Sequence, residues 1–263
     1  IVVPRLFPGD DCFTLQNDDG RVIFVLPYEE DFTLIGATDV DFNGDPARAQ
    51  AGEDEVGYLC AAVNRWLARS VSPSDVVWRF AGVRALYDDG SAAAQEVGRD
   101  HVLALEAPAD GAPLLTVYGG KLTAHRRVAE GVMEKIAPYL PAAAAARGPW
   151  TAGAPLPGGD FPLDGLPALI SDLRRRYAFL SESWARRLAR AYGVRAALVL
   201  GDARRAEDLG RDFGAGLTEA EADYLRRAEW ARSASDILWR RTKLGLRATA
   251  ADAAALAEYV GAA

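Results

Sequence analysis

The feature that most limits what this chain can fold into is a change of periodicity partway along it. Before about residue 140, apolar residues come in short runs broken by turn residues. After about residue 150 they recur every three or four positions. The first pattern suits strands and the second amphipathic helices. Between them lies "PAAAAARGPW", whose alanines, prolines and glycine read as a linker or exposed loop. The expected class is therefore α+β: a largely antiparallel sheet with helices, followed by an all-helical portion.

Within the first part, "CFTLQN" and "RVIFVLPY" flank Asp18, Asp19 and Gly20, a hairpin signal. "EED" turns the chain into "FTLIGATDV", completing a meander. Val56, Leu59, Cys60, Val63 and Leu67 predict an amphipathic helix of about four turns, with Glu53, Asp54 and Glu55 at its dipole-positive start. Further strands are expected in "DVVWRFAGVRALY", "HVLALEA" and "PLLTVYGG". In the second part, Leu166, Leu169, Ile170, Leu173 and Tyr177 form one stripe, and Trp184, Leu188 and Tyr192 another, with Gly193 as C-cap. Thr218 and Glu221 have capping-box spacing, Ser235 is a candidate cap for "DILWRR", and Thr249 opens an alanine-rich helix. The cluster Arg240, Arg241 and Lys243 reads as cations at a helix C-terminus.

Composition removes several function classes. The formal net charge is −7, which disfavours a nucleic-acid partner. Cys12 and Cys60 are the only cysteines, too few for a disulfide framework, and Cys60 falls on the apolar helix face. His101 and His125 are the only histidines and lack metal-ligand spacing, so no metal site is expected. No serine-hydrolase elbow occurs, and no apolar run approaches the ~20 residues that span a bilayer.

Three places carry charge where chemistry needs it. In "VYGGKLTAHR" a strand meets a helix start through Gly119 and Gly120, followed by Lys121. The first N–H groups of a helix lack intrahelical partners and the dipole adds positive potential. This is either an anion or polarised-oxygen site, or a tight turn with a surface lysine. Arg84 and Arg99 sit at strand–loop boundaries. Each offers a rigid donor fork for phosphate or carboxylate, or pairs with a nearby acid such as Asp88, Asp89 or Asp100.

Taken together and in order, "IVVPRLF", "DGRVIFVLPYEEDFTLIGATDVDFNGDP", "DVVWRFAGVRALYDDG", "APLLTVYGGKLTAHR", "PLPGGDFP", "EDLGRDFG", "LTEAEADYL" and "ILWRRTKLGL" resemble the FAD-dependent, quinone-linked glycerol-3-phosphate dehydrogenases. The resemblance runs almost end to end. Members of that family carry a GxGxxG loop for the FAD pyrophosphate in an N-terminal portion. That loop does not occur in this sequence, so the chain resembles a C-terminal half. The resemblance implies a substrate-binding antiparallel sheet over 1–112, a return segment to the FAD domain over 113–140, a linker over 141–149 and a helical domain over 150–263.

It further implies that Gly119, Gly120, Lys121, Leu122 and Thr123 contact FAD. Arg84 and Arg99 would bind the phosphate of glycerol 3-phosphate or orient its hydroxyl, and Lys121 would also face the substrate. A histidine that the family places just before "IVVPR" is one candidate base, with Lys121 or Arg84 assisting. Ala85, Ala124 and His125 depart from the usual proline, threonine and tyrosine beside these residues. The implied partners are quinone and a second copy in a homodimer, with the protein cytoplasmic and peripheral to the inner membrane. No convincing basic amphipathic anchor helix is present. By this reading the chain alone neither holds FAD tightly nor turns over. Two other readings stay open: an oxidase of unphosphorylated substrates on the same scaffold, and a helical part that serves only for dimerisation or interaction.

Overall fold

The computed structural model describes residues 1–85, 87, 100–142 and 148–262. The chain divides into two compact units, Ile1–Ala154 and Pro155–Ala263. It is α+β, with antiparallel sheets and helices in the first unit and helices in the second.

In the first unit, β1 (Val2–Pro4), β2 (Phe13–Gln16), β3 (Val22–Tyr28) and β4 (Phe32–Gly36) form an antiparallel sheet of order β1-β4-β3-β2. The Asp-Asp-Gly hairpin forms as expected: Gly20 takes φ +80°, and Asn17 N–H donates to the Arg21 carbonyl at 2.9 Å. This fixes Gln16 opposite Val22. Period-2 alternation then decides the faces. Ile23 and Val25 are fully buried, while Val22 and Phe24 are exposed.

The buried face packs on α1 (Glu53–Asn64) through Val56, Leu59, Cys60 and Val63. Glu55 does more than complement the dipole. Its carboxylate accepts the Thr38 hydroxyl at 2.5 Å and the Gly52 N–H at 3.0 Å. Those bonds hold its carboxyl below the ordinary glutamate range, the Thr38 bond contributing most. The helix ends at Asn64, short of the expected Leu67. Asn64 bonds both backbone groups of Val71, at 2.7 and 2.8 Å, and turns the chain.

The expected strand in "DVVWRFAGVRALY" is reduced to a bridge between Val2 and Trp78. Its charged side chains are drawn aside: Arg79 binds Glu53 at 2.6 Å and Arg84 binds Asp39. A second sheet pairs β5 (His101–Glu106) with β6 (Leu114–Gly119), placing His101 opposite Gly119. Helix α2 (His125–Ile136) packs on β5, where Lys135 Nζ donates to the Leu103 carbonyl at 3.1 Å.

The second unit contains α3 (Leu166–Arg176), α4 (Glu182–Tyr192), α5 (Ala196–Leu200), α6 (Glu219–Glu229), a π-helical turn (Asp236–Arg241) and α7 (Ala250–Ala262). The two expected stripes meet in its core. Ile170, Leu173, Tyr177, Leu188 and Tyr192 are buried there with Leu217, Leu225, Ile237 and Leu256. Gly193 caps α4 with φ +55°, and Thr249 caps α7 against Asp252.

Two expected caps are corrected. Thr218 does cap α6, accepting the Glu221 N–H at 3.4 Å, but the Glu221 carboxylate does not reach back. It is buried against Arg187, at 2.6 and 2.7 Å, and takes the Tyr192 hydroxyl at 2.6 Å. A buried charge needs paired donors more than a cap needs a second bond. For "DILWRR" the capping hydroxyl belongs to Ser233, which accepts from Asp236 N–H at 3.1 Å, not to Ser235. In the basic cluster, Lys243 donates to the Arg240 carbonyl as expected of a helix-end cation. Arg241 instead caps α6 through the Glu229 carbonyl.

Candidate functional site

Gly119 ends β6 with φ +64° and Gly120 follows with φ +92°, a backbone path that L side chains rarely take. Space is short as well. A Cβ on Gly119 would stand 3.1 Å from the Asp100 carbonyl oxygen and 3.5 Å from the Tyr87 nitrogen, and one on Gly120 would stand 3.1 Å from His101 Cβ. The glycines are therefore required twice, for conformation and for contact with the chain around residues 85–87.

The helix start differs in detail from the sequence reading. Lys121 is extended and caps a short 3-10 turn, Leu122–Ala124, before α2 begins at His125. The His125 ring Nδ1 is 2.8 Å from the Leu122 carbonyl, with which it shares a hydrogen bond. His125 thus stabilises the turn in place of the usual aromatic. Lys121 is exposed and Leu122 is 89% exposed, so the outer surface of the turn combines an ammonium, backbone donors and a bare apolar side chain.

The same turn lies beside the chain carrying Arg84. A Cβ on Gly119 would come within 3.7 Å of the Ala85 carbonyl, and the Tyr87 and Tyr118 rings meet edge to face with centroids 5.6 Å apart. Sequence positions 84 and 119, far apart in the chain, thus belong to one neighbourhood. Arg84 pairs with Asp39, which its Nη1 meets at 2.7 and 2.9 Å. Asp39 was not among the acids considered from sequence, Asp88, Asp89 and Asp100. Asp39 was missed, although "GATDVDF" places acids just past a strand end, where side chains commonly leave the sheet. Arg99, the other candidate arginine, lies outside the described residues, as do Asp88 and Asp89.

Among the described residues no cluster of metal-ligating side chains occurs, and no helix is long and apolar enough to cross a membrane. Cys60 is buried and Cys12 exposed, both free, with burial pushing the Cys60 thiol up.

The arrangement fits a group that needs a close backbone approach, a positive charge and a partly apolar surface together. Comparison with known proteins bears on the chain as a whole. Residues 1–126 match the family described as FAD dependent oxidoreductase, and residues 150–262 the C-terminal domain of alpha-glycerophosphate oxidase. The chain is 42% identical to a glycerol-3-phosphate dehydrogenase of Pseudomonas aeruginosa over 99% of its length, covering 50% of that protein. It is 44% identical to the aerobic glycerol-3-phosphate dehydrogenase of Escherichia coli over 94% of its length and 48% of that protein. It is 41% identical to a D-erythritol 1-phosphate dehydrogenase of Brucella abortus over 98% of its length and 51% of that protein. The chain thus spans about half the length of the curated relatives it matches. Both matches lie in order along the chain, whose two parts thus carry the patterns of an FAD dependent oxidoreductase and of the C-terminal domain of alpha-glycerophosphate oxidase.

Proposed function

We propose that this chain supplies the substrate-binding and flavin-facing part of an enzyme that oxidises sn-glycerol 3-phosphate to dihydroxyacetone phosphate and passes the electrons to quinone. The observation that carries this reading is the proximity of the Gly119–Gly120–Lys121 turn to the Ala85–Tyr87 chain that follows Arg84. One corner then offers a cofactor contact and a phosphate-binding cation.

Gly119, Gly120, Lys121, Leu122 and Thr123 would hold FAD. When bound, that group supplies the acceptor for the hydride leaving C2 of the substrate. The residues of this chain do the rest. Lys121 and the backbone donors after it stabilise developing negative charge without reorganising, because the turn is already built. Arg84 binds the substrate phosphate through its donor fork, which fixes the carbon to be oxidised and lowers the barrier through orientation. Asp39 holds the guanidinium in place before substrate arrives. Arg99 shares the phosphate. The proton of the reacting hydroxyl goes to a base that Lys121 or Arg84 assists. In the same reading residues 113–140 return the chain to the FAD domain and 150–263 form an accessory helical domain. The intact protein is a homodimer, cytoplasmic and peripheral to the inner membrane.

The similarity to a D-erythritol 1-phosphate dehydrogenase favours a second substrate, a longer polyol phosphate, at the same arginines. Both readings need a phosphate. In the complete enzyme containing this chain, Arg84→Ala is expected to lower kcat/KM for glycerol 3-phosphate by about 10- to 100-fold, the worth of a charged hydrogen bond. Turnover of unphosphorylated glycerol should fall far less, by no more than the loss of any assistance to the base. Equal losses for both substrates would remove the phosphate role. The ratio of kcat/KM for glycerol 3-phosphate and D-erythritol 1-phosphate decides between the two substrates.

A further inference from the structure

The helical unit holds a basic cleft that the dehydrogenase reading does not use. Its volume is about 550 Å³ and it is lined by Asp223, Arg226, Arg227, Ala231, Arg232 and Val260. That size lies in the range of small-molecule sites. Three arginines face one acid, and that acid is already engaged: Asp223 accepts the Tyr259 hydroxyl at 2.8 Å and lies 3.8 Å from Arg226. Among the described residues neither Arg227 nor Arg232 forms an ion pair, which they share with Arg190, Arg195 and Arg204, but of these only Arg227 and Arg232 line the cleft.

The backbone shows how the cleft is made. Helix α6 ends at Trp230, which takes φ +58° and ψ +26°, a left-handed position that normally belongs to glycine. A bulky residue there is an outlier with a strain cost. The turn lets Ala231 N–H donate to the Leu225 carbonyl at 3.1 Å. Ala231 and Arg232 thereby fold back toward Arg226 and Arg227. The Trp230 side chain gains no burial in return, being 80% exposed. A helix-end role for the arginines accounts for Arg226 and Arg227. It does not account for Arg232, which lies beyond the helix, nor for a strained tryptophan left in solvent.

We infer that this cleft is a second anion site, which takes the phosphate of an organic phosphate on Arg227 and Arg232 and its less polar remainder near Ala231 and Val260. Guanidinium forks suit phosphate oxygens. The site is independent of the substrate reading.

The test uses the full chain carrying Arg84→Ala and Lys121→Ala, so that phosphate at the proposed substrate site contributes nothing. Inorganic phosphate is titrated at low ionic strength by calorimetry, and phosphatidylglycerol vesicles are titrated in parallel against phosphatidylcholine vesicles. Saturable binding is expected in at least one arm. Further addition of Arg227→Ala and Arg232→Ala should weaken it at least tenfold, while Arg190→Ala, an exposed arginine on α4, should leave it unchanged. Binding of inorganic phosphate identifies a free phosphate ligand, and binding of anionic vesicles alone identifies a lipid headgroup. Either supports the site. Absence of binding in both arms, or binding insensitive to the paired substitution, overturns it. All four arginines to be replaced are exposed, and circular dichroism verifies that the variants fold.

Discussion

The β5–β6–α2 segment and the helical unit solve opposite problems. Residues 166–256 gather a single core in which Leu217, Leu225, Ile237 and Leu256 have no exposed surface. By contrast, β5, β6 and α2 contain no buried residue, and Leu114, Val117, Tyr118, Leu122 and Met133 are all exposed. The helical unit carries its stability within itself. The segment with the candidate site spends its apolar side chains on surface instead, as binding surfaces do. Local stability should therefore differ sharply between the two, and site-bearing segments are commonly drawn from the less stable end.

The largest expected effect comes from comparing one glycine in each unit. A Cβ at Gly193 would stand 1.9 Å from the Gly158 carbonyl oxygen, which itself accepts the Val194 N–H at 3.0 Å. Backbone cannot yield there as a side chain would. Gly193→Ala is expected to cost more than ~4 kcal/mol and to unfold the helical unit. At Gly119 the nearest atom would be 3.1 Å away, so Gly119→Ala is expected to cost ~1–3 kcal/mol, mostly backbone strain. Thermal denaturation followed by far-UV circular dichroism ranks the two, and equal losses would end the distinction.

A smaller pair tests the cores directly. Leu225→Ala removes a fully buried side chain from the helical core and should cost ~2–5 kcal/mol. Val102→Ala in β5 removes one that is half-buried and should cost below ~1 kcal/mol. Peptide-resolved hydrogen exchange is the suitable measurement, since a chain of two units need not unfold in one step. If Val102→Ala loosens its segment as much as Leu225→Ala loosens the helices, the site-bearing hairpin has a core of its own.

How much of this was legible in the sequence follows the same division. Periodicity and turn residues gave the first hairpin, both helical stripes and the Gly193 cap, because each depends on neighbours a few residues apart. It failed where a distant group competed. The strand expected in "DVVWRFAGVRALY" loses Arg79 to Glu53 and Arg84 to Asp39, and the carboxylate of Glu221 leaves its own helix start for Arg187 and Tyr192. Nothing local announces such partners. At the candidate site, the glycine pair and Lys121 were visible as a turn, but not the crowding that demands glycine at 119, which comes from Asp100 and Tyr87. The resemblance to the relatives was legible through the ordered set of motifs rather than through any one of them.

The smallest effect concerns the helix that closes the first sheet. Glu55 is the one acid of α1 whose carboxylate joins Thr38 to the Gly52 N–H, so it ties the helix start to the chain beyond β4. Glu55→Gln keeps the shape and weakens both bonds, for an expected loss of about 1 kcal/mol, the usual worth of a cap. Acid should act in the same direction. The folded carboxyl titrates below its unfolded counterpart, so the unfolded chain binds the proton first as pH falls. The contribution is complete above the ordinary glutamate range, declines through it, and is gone once the folded carboxyl is protonated. The native protein should therefore lose the advantage over Glu55→Gln as the pH falls through and below the ordinary glutamate range, visible as converging urea midpoints. Midpoints that stay equally separated at acid pH would mean that Glu55 acts through packing alone, and the first sheet would then depend on its helix no more than β5 and β6 depend on theirs.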